Sequence, residues 1–178
     1  LLASSAASDV YKRQNLEMLR RFGAEIIPFS PLRDACLPEH IHGIYIGGGY
    51  PEIYAERLSE NESMRMDILR AGRRGLPIIG ECGGYMYLCG SIQSRPMVGL
   101  VPGKCRMTEK LGPFGYVRGT CRKDSLIGKA GETFAAHEFH YSLMADGGED
   151  FLLSKPGRRS WSGGTAGGNI YAAYPHLY

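Results

Sequence analysis

No stretch of this 178-residue chain approaches the roughly 20 consecutive apolar residues that a membrane-spanning helix requires. No Cys-x-x-Cys pair occurs among its five cysteines, at 36, 82, 89, 105 and 121, and their number is odd. That excludes a disulfide framework as the natural reading and favours free thiols in a reducing, cytoplasmic compartment. No block of like charge occurs either. The net charge is only +3, and the basic doublets (Arg20-Arg21, Arg73-Arg74, Arg158-Arg159) are scattered. They read as solvated surface rather than as a nucleic-acid footprint, so neither nucleic acid nor a membrane is expected as a partner. There is no internal repeat. The length suits one domain with a real core.

Both ends are abrupt. Ser-Ser-Ala-Ala-Ser-Asp-Val-Tyr-Lys-Arg-Gln, residues 4–14, matches the direct translation of a transposon-type sequencing adapter. Residues 1–14 are therefore set apart as a non-native scar, and natural sequence is expected from about Asn15 to Tyr178. The closing Ala-Ala-Tyr-Pro-His-Leu-Tyr has no polar tail, so the domain is expected to be truncated at both ends.

What is present alternates strands and helices. Apolar residues at 16, 18, 19 and 22 have helical spacing, closed by Gly23. Residues 26–29 and 43–46 read as short strands, and the second runs into Gly47-Gly48-Gly49. Pro51 suits a first helical turn, and 60–73 reads as a helix closed by Gly75. Residues 76–80 form a third apolar strand, followed at once by a helix over 83–88. This order predicts an α/β fold with a mostly parallel central sheet flanked by helices and active loops at the carboxyl ends of the strands. The second half adds antiparallel strands near 114–121 and 133–141, a mobile glycine-rich loop over 155–168, and a last strand over 169–173 that delivers His176.

The chemistry centres on Leu-Pro-Ile-Ile-Gly-Glu-Cys-Gly-Gly, residues 76–84. A cysteine on a sharp strand-to-helix corner has the setting of a nucleophile elbow. The start of the helix favours thiolate over thiol, and its unpaired N–H groups can hold an oxyanion. Cys82 is therefore the expected nucleophile, whereas Cys36, Cys89, Cys105 and Cys121 read as small hydrophobes. Gly47-Gly48-Gly49 reads as a flexible turn, a phosphate cradle or an oxyanion loop; no Gly-Lys-Ser/Thr follows, which disfavours a nucleotide P-loop. In the third reading, N–H groups of Gly48 and Gly49 act opposite that of Gly83. The base would be His176. His40 and His42 read as surface residues. His137-Glu138-Phe139-His140 is not an HExxH motif and on a strand would point its histidines to opposite sides, so no metal is expected.

The motifs Gly47-Gly48-Gly49-Tyr50-Pro51-Glu52, Gly80-Glu81-Cys82-Gly83-Gly84-Tyr85-Met86-Tyr87-Leu88, Met97-Val98-Gly99 and His137-Glu138-Phe139-His140-Tyr141-Ser142 together resemble the glutaminase domain of the cobyrinic acid a,c-diamide synthase family, class I glutamine amidotransferases with a flavodoxin-like fold. The resemblance covers Asn15 to Tyr178. It implies Cys82 as nucleophile and His176, in Tyr174-Pro175-His176, as general acid/base. Related triad enzymes carry His-Pro-Glu, but here Leu177 and Tyr178 follow the histidine. The resemblance thus implies a Cys–His dyad or a third group from elsewhere, with Glu138 a candidate orienter. It further implies glutamine as substrate and no cofactor on this domain. ATP and magnesium belong to an upstream synthetase domain that amidates a corrinoid precursor, and a homodimer is left open. The rival readings are the glutaminase of nickel-sirohydrochlorin a,c-diamide synthase, a cysteine hydrolase of similar fold, and a degenerate domain that only stabilises a synthetase.

Overall fold

The computed structural model describes residues 6–157 and 160–178, with the side chains of the first helix from residue 13 onward. Helix α1 spans Ala6–Arg21, longer than the expected 15–22, and Gly23 ends it in the left-handed region at φ 88°. The helix runs through residues 6–14 of the segment read as an adapter scar; residues 1–5 of that segment lie outside the described residues.

The expected strand at 26–29 does not form. Pro28 lacks a ladder donor and Ile27 is 45% exposed, so the segment runs as an irregular loop. Strand β1 (Ile44–Ile46) is followed by a 3-10 turn (Pro51–Tyr54), α2 (Ala55–Glu60) and α3 (Glu62–Arg73). Asn61 caps α3 by accepting from the Met64 N–H, and its amide also donates to the carbonyls of Pro31 and Asp34, which ties down the proline-rich loop. Met64, Ile68 and Leu69 form the buried face of α3 at i, i+4 and i+5. Then come β2 (Ile78–Glu81) and α4 (Gly83–Leu88).

The second half contributes β3 (Ser91–Ile92), β4 (Arg95–Pro96), β5 (Lys104–Met107), β6 (Gly115–Cys121), β7 (Thr133–Glu138), β8 (Ser142–Ala145) and β9 (Phe151–Ser154). It closes with β10 (Trp161–Gly163), β11 (Thr165–Gly167), β12 (Ile170–Ala173) and β13 (His176–Leu177). The expected mobile loop over 155–168 is therefore corrected. Residues 158–159 lie outside the described residues, but 161–163 pair with β9 and 165–167 with β12. Trp161 and Ala166 there pack on a buried aromatic cluster, which sequence periodicity over three-residue strands cannot reveal.

The central sheet has the order β1-β2-β12-β11, parallel except at the β11–β12 edge. A five-stranded antiparallel sheet has the order β10-β9-β6-β7-β13, and a smaller sheet the order β4-β3-β5-β8. Alternation along the central strands sends their side chains to two cores. Ile44, Ile46, Ile78 and Ala172 pack with the helices, while Ile79, Tyr171 and Ala173 pack against the five-stranded sheet through Phe134, Phe151 and Leu153. Glu81, two residues beyond Ile79, therefore faces the second sheet, as does Tyr45, the register partner of Ile79. Among the described residues no helix is long and apolar enough to cross a membrane.

Candidate active site

Cys82 stands directly after β2, and its backbone N–H extends the parallel ladder by one bond to the Ala173 carbonyl, 2.9 Å away. Its φ of 51° and ψ of −104° hold a non-glycine residue in strained backbone. The surrounding glycines are required by close approach. A Cβ on Gly84 would meet the Ile46 carbonyl oxygen at 2.0 Å, and one on Gly80 would meet Leu88 at 2.5 Å. These contacts let α4 lie directly on β1 and β2, and Cys82 at the corner is buried, 8% exposed. Its Sγ is 3.7 Å from the Phe139 carbonyl oxygen.

The structure brings Gly48, Gly49, Gly83 and His176 to the same corner. A Cβ on Gly83 would stand 2.8 Å from the Gly49 nitrogen, and one on Gly48 would stand 2.5 Å from Cε1 of His176. The His176 imidazole therefore lies against the glycine turn, with Cε1 nearest Gly48. It arrives on β13, whose register sets His176 opposite His137. The connection from β12 to β13 is only Tyr174-Pro175, so the parallel β2–β12 pair that places Cys82 also places the histidine.

Burial alone would lower the pKa of His176, but its interactions with Cys82 and Glu81 and their charges outweigh it and raise the group from 6.5 to about 9. The carboxylate of Glu81 faces Nδ1 at 3.7 Å, and the histidine side chain is 19% exposed. His137 opposite moves down, first through burial and then through the charges of His176 and Lys155. A raised histidine contributes stability that is complete below its unfolded value of about 6.5 and disappears as the pH rises through about 9. The excess unfolding free energy of the chain over its H176Q variant is accordingly expected to shrink by about 3 kcal/mol between about pH 6 and about pH 9.5. Urea titrations at both pH values check this, and a constant difference contradicts it.

Glu138, the expected orienter, is committed elsewhere. Its Oε1 lies 2.9 Å from Nε2 of His140, both side chains are almost fully buried, and the His140 ring stacks on Tyr174 at 3.6 Å. Nδ1 of His140 faces the Ser142 carbonyl at 2.8 Å and must donate to it, so one further proton is shared between Nε2 and Glu138. The physical reason is register. His137 is paired with His176, and the next residue of a strand points to the opposite face. The carboxylate beside His176 is Glu81, which sequence reasoning missed. The available signal was a charged residue ending an apolar strand, because a buried charge needs partners. His137 and His140 do not converge. Among the described residues no group of three His, Cys, Asp or Glu side chains is placed to hold a metal ion. Of the other cysteines, Cys89 and Cys105 are buried and burial raises both thiols, Cys89 to about 12. Cys121 is also buried, but Cys36, read as a small buried hydrophobe, is exposed. Two surface clefts, of about 410 and 680 Å³, lie elsewhere; the second includes His40 and His42, and neither includes Cys82.

Solved structures share this architecture. A crystal structure of a glutamine amidotransferase superposes with a TM-score of 0.56 at 15% identity over 92% of this chain and 84% of the other. The structure of PurLQS from Thermotoga maritima gives 0.62 at 18% identity over 92% and 80%. The fold is therefore that of the glutamine amidotransferases. Residues 2–178 match the CobB/CobQ-like glutamine amidotransferase domain, and the chain belongs to that family. Cobyrinate a,c-diamide synthase of Caldanaerobacter subterraneus subsp. tengcongensis is 41% identical over 183 residues, 98% of this chain and 40% of that protein. The enzyme of the same name from Listeria innocua is 42% identical over 185 residues, 99% of this chain and 41% of that protein. The chain thus spans about two fifths of the length of the curated relatives it matches.

Proposed function

We propose that this chain is the glutamine-hydrolysing part of an ATP-dependent cobyrinate or hydrogenobyrinate a,c-diamide synthase. The observation that carries the reading is the meeting of Cys82 and His176 at the carboxyl ends of β2 and β12, the histidine seated against the Gly47–Gly49 turn and its pKa raised by the cysteine, in a chain of this family.

In this reading the Cys82 thiolate attacks the side-chain amide carbon of glutamine. N–H groups of Gly83 and of Gly48 and Gly49 receive the oxyanion; the close packing of Gly83 on Gly49 supports a single pocket for it. The intermediate collapses by breaking the C–N bond. The imidazolium of His176 gives its proton to the departing nitrogen, which leaves as ammonia, and a γ-glutamyl thioester remains. His176, now neutral, takes a proton from water. The resulting hydroxide attacks the thioester, the S–C bond breaks, and glutamate leaves with the thiolate and imidazolium restored.

Ammonia then serves a synthetase domain that uses ATP and magnesium to activate the a and c carboxylates of the corrinoid precursor. This chain carries no Gly-Lys-Ser/Thr after its glycine turn, so phosphoryl chemistry is assigned to that other domain. The test is incubation with glutamine and with a glutamine-mimicking electrophile such as a diazoketone analogue. Glutamate release, or modification of Cys82 by the analogue and not of the exposed Cys36, is the expected result. A folded chain that releases no glutamate and leaves Cys82 unmodified overturns the reading.

A further inference from the structure

Glu81 is 1% exposed, yet every polar neighbour described for it is a donor. The Leu177 N–H donates to Oε1 at 2.9 Å, the Tyr45 hydroxyl donates to Oε2 at 2.5 Å, and Nδ1 of His176 faces Oε2 at 3.7 Å. An ionised carboxylate, which only accepts, fits this surrounding. Burial, with the neighbouring Glu81 charge next, drives Tyr45 well above the ordinary phenol range, so it remains the donor. Asn15 bonds the same group: its amide donates to the Leu177 carbonyl at 2.9 Å and also bonds Tyr45.

From these contacts we infer that Glu81 is the positioning residue of the site, a third member contributed by the strand that carries the nucleophile rather than by the segment after the histidine. The inference rests on His176 being the acid/base. Glu81 grips β13 twice, through the backbone of Leu177 and through the imidazole. It holds Nδ1 protonated and leaves Nε2 toward the thiol. A carboxylate two residues beyond the histidine, as in His-Pro-Glu, is then unnecessary. Here the residue before Cys82 reaches the imidazole because β2 and β12 are parallel neighbours with Glu81 opposite Ala173. The groups around His176 are Cys82 and Glu81 from the β2 corner and His137 from β7. Tyr45 on β1 and Tyr171 on β12 feel the charge of Glu81 from the adjoining strands.

The test is E81Q. The glutamine side chain has the same shape, its carbonyl can still accept from Leu177, and its amide can donate to the Tyr45 oxygen, so the fold is retained. The imidazole resonance of His176, identified by its loss in H176Q, is followed by NMR against pH. In the parent its midpoint is expected at about 9. In E81Q the midpoint is expected to fall by at least about one pH unit. E81D, which withdraws the carboxylate by one methylene, is expected to fall by less. Glutamine turnover is expected to drop at least about tenfold in kcat with KM little changed, and E81D to restore part of it. A folded E81Q with an unchanged His176 midpoint overturns the inference. The titration is read without glutamine, so it stands or falls separately from the glutaminase reading.

Discussion

Replacing Cys82 with alanine is expected to abolish glutamine hydrolysis, with turnover falling by at least about 10⁴-fold, while the chain still folds. The reaction cannot proceed through a thioester without the sulfur, and His176 alone has no nucleophile to serve. The fold is kept because alanine bears the same Cβ on the same strained backbone, at φ 51° and ψ −104°, and adds no new clash. Replacing Cys36, Cys89, Cys105 and Cys121 singly with serine or alanine is expected to leave turnover within about threefold, since none is placed at the corner. Undiminished glutamate release from Cys82→Ala contradicts the assignment of the nucleophile.

Gly48→Ala is expected to lower turnover by about 10² -fold or more with the fold intact. The backbone at Gly48 is not in the left-handed region, so alanine is conformationally acceptable there. Its Cβ would nevertheless sit 2.5 Å from Cε1 and 3.2 Å from Nε2 of His176. The imidazole must then shift off the turn, and a displacement of about 1 Å is enough for a loss of this size. Gly168→Ala is the matched control, because a Cβ there meets nothing within 4 Å. Parallel rate and thermal-melt measurements on the two variants check the prediction. Parent-like turnover in Gly48→Ala would show that the histidine does not need its seat on the glycine turn.

The elements legible in the sequence were those whose signals are local. Ile78–Glu81, Gly83–Leu88 and Ile170–Ala173 lie where apolar runs between glycines put them, and Gly75 closes the helix that precedes β2. The elements missed depend on partners far along the chain. Residues 26–29 are apolar enough for a strand but run as an irregular loop around Pro28, whereas 161–167 are glycine-rich yet pair because β9 and β12 offer edges to them. His176 was placed at the end of the last strand. It lies instead on a separate two-residue strand of the second sheet, which is what turns it toward β2.

The same division runs through the site. The amino-acid sequence by itself determined the corner. Gly80, Gly83 and Gly84 can be nothing larger if a helix is to lie on two strands, and the one residue between them with reactive chemistry is Cys82. Which carboxylate lies beside His176 was decided only by tertiary structure. Glu138 is adjacent to the cross-strand partner of His176, yet strand alternation turns it away to His140. Glu81 is 95 positions from the histidine along the chain, yet parallel pairing of β2 with β12 and the short crossing to β13 bring it to 3.7 Å. Side-chain alternation and strand register are properties of the paired sheets, and no local pattern of residue types encodes them.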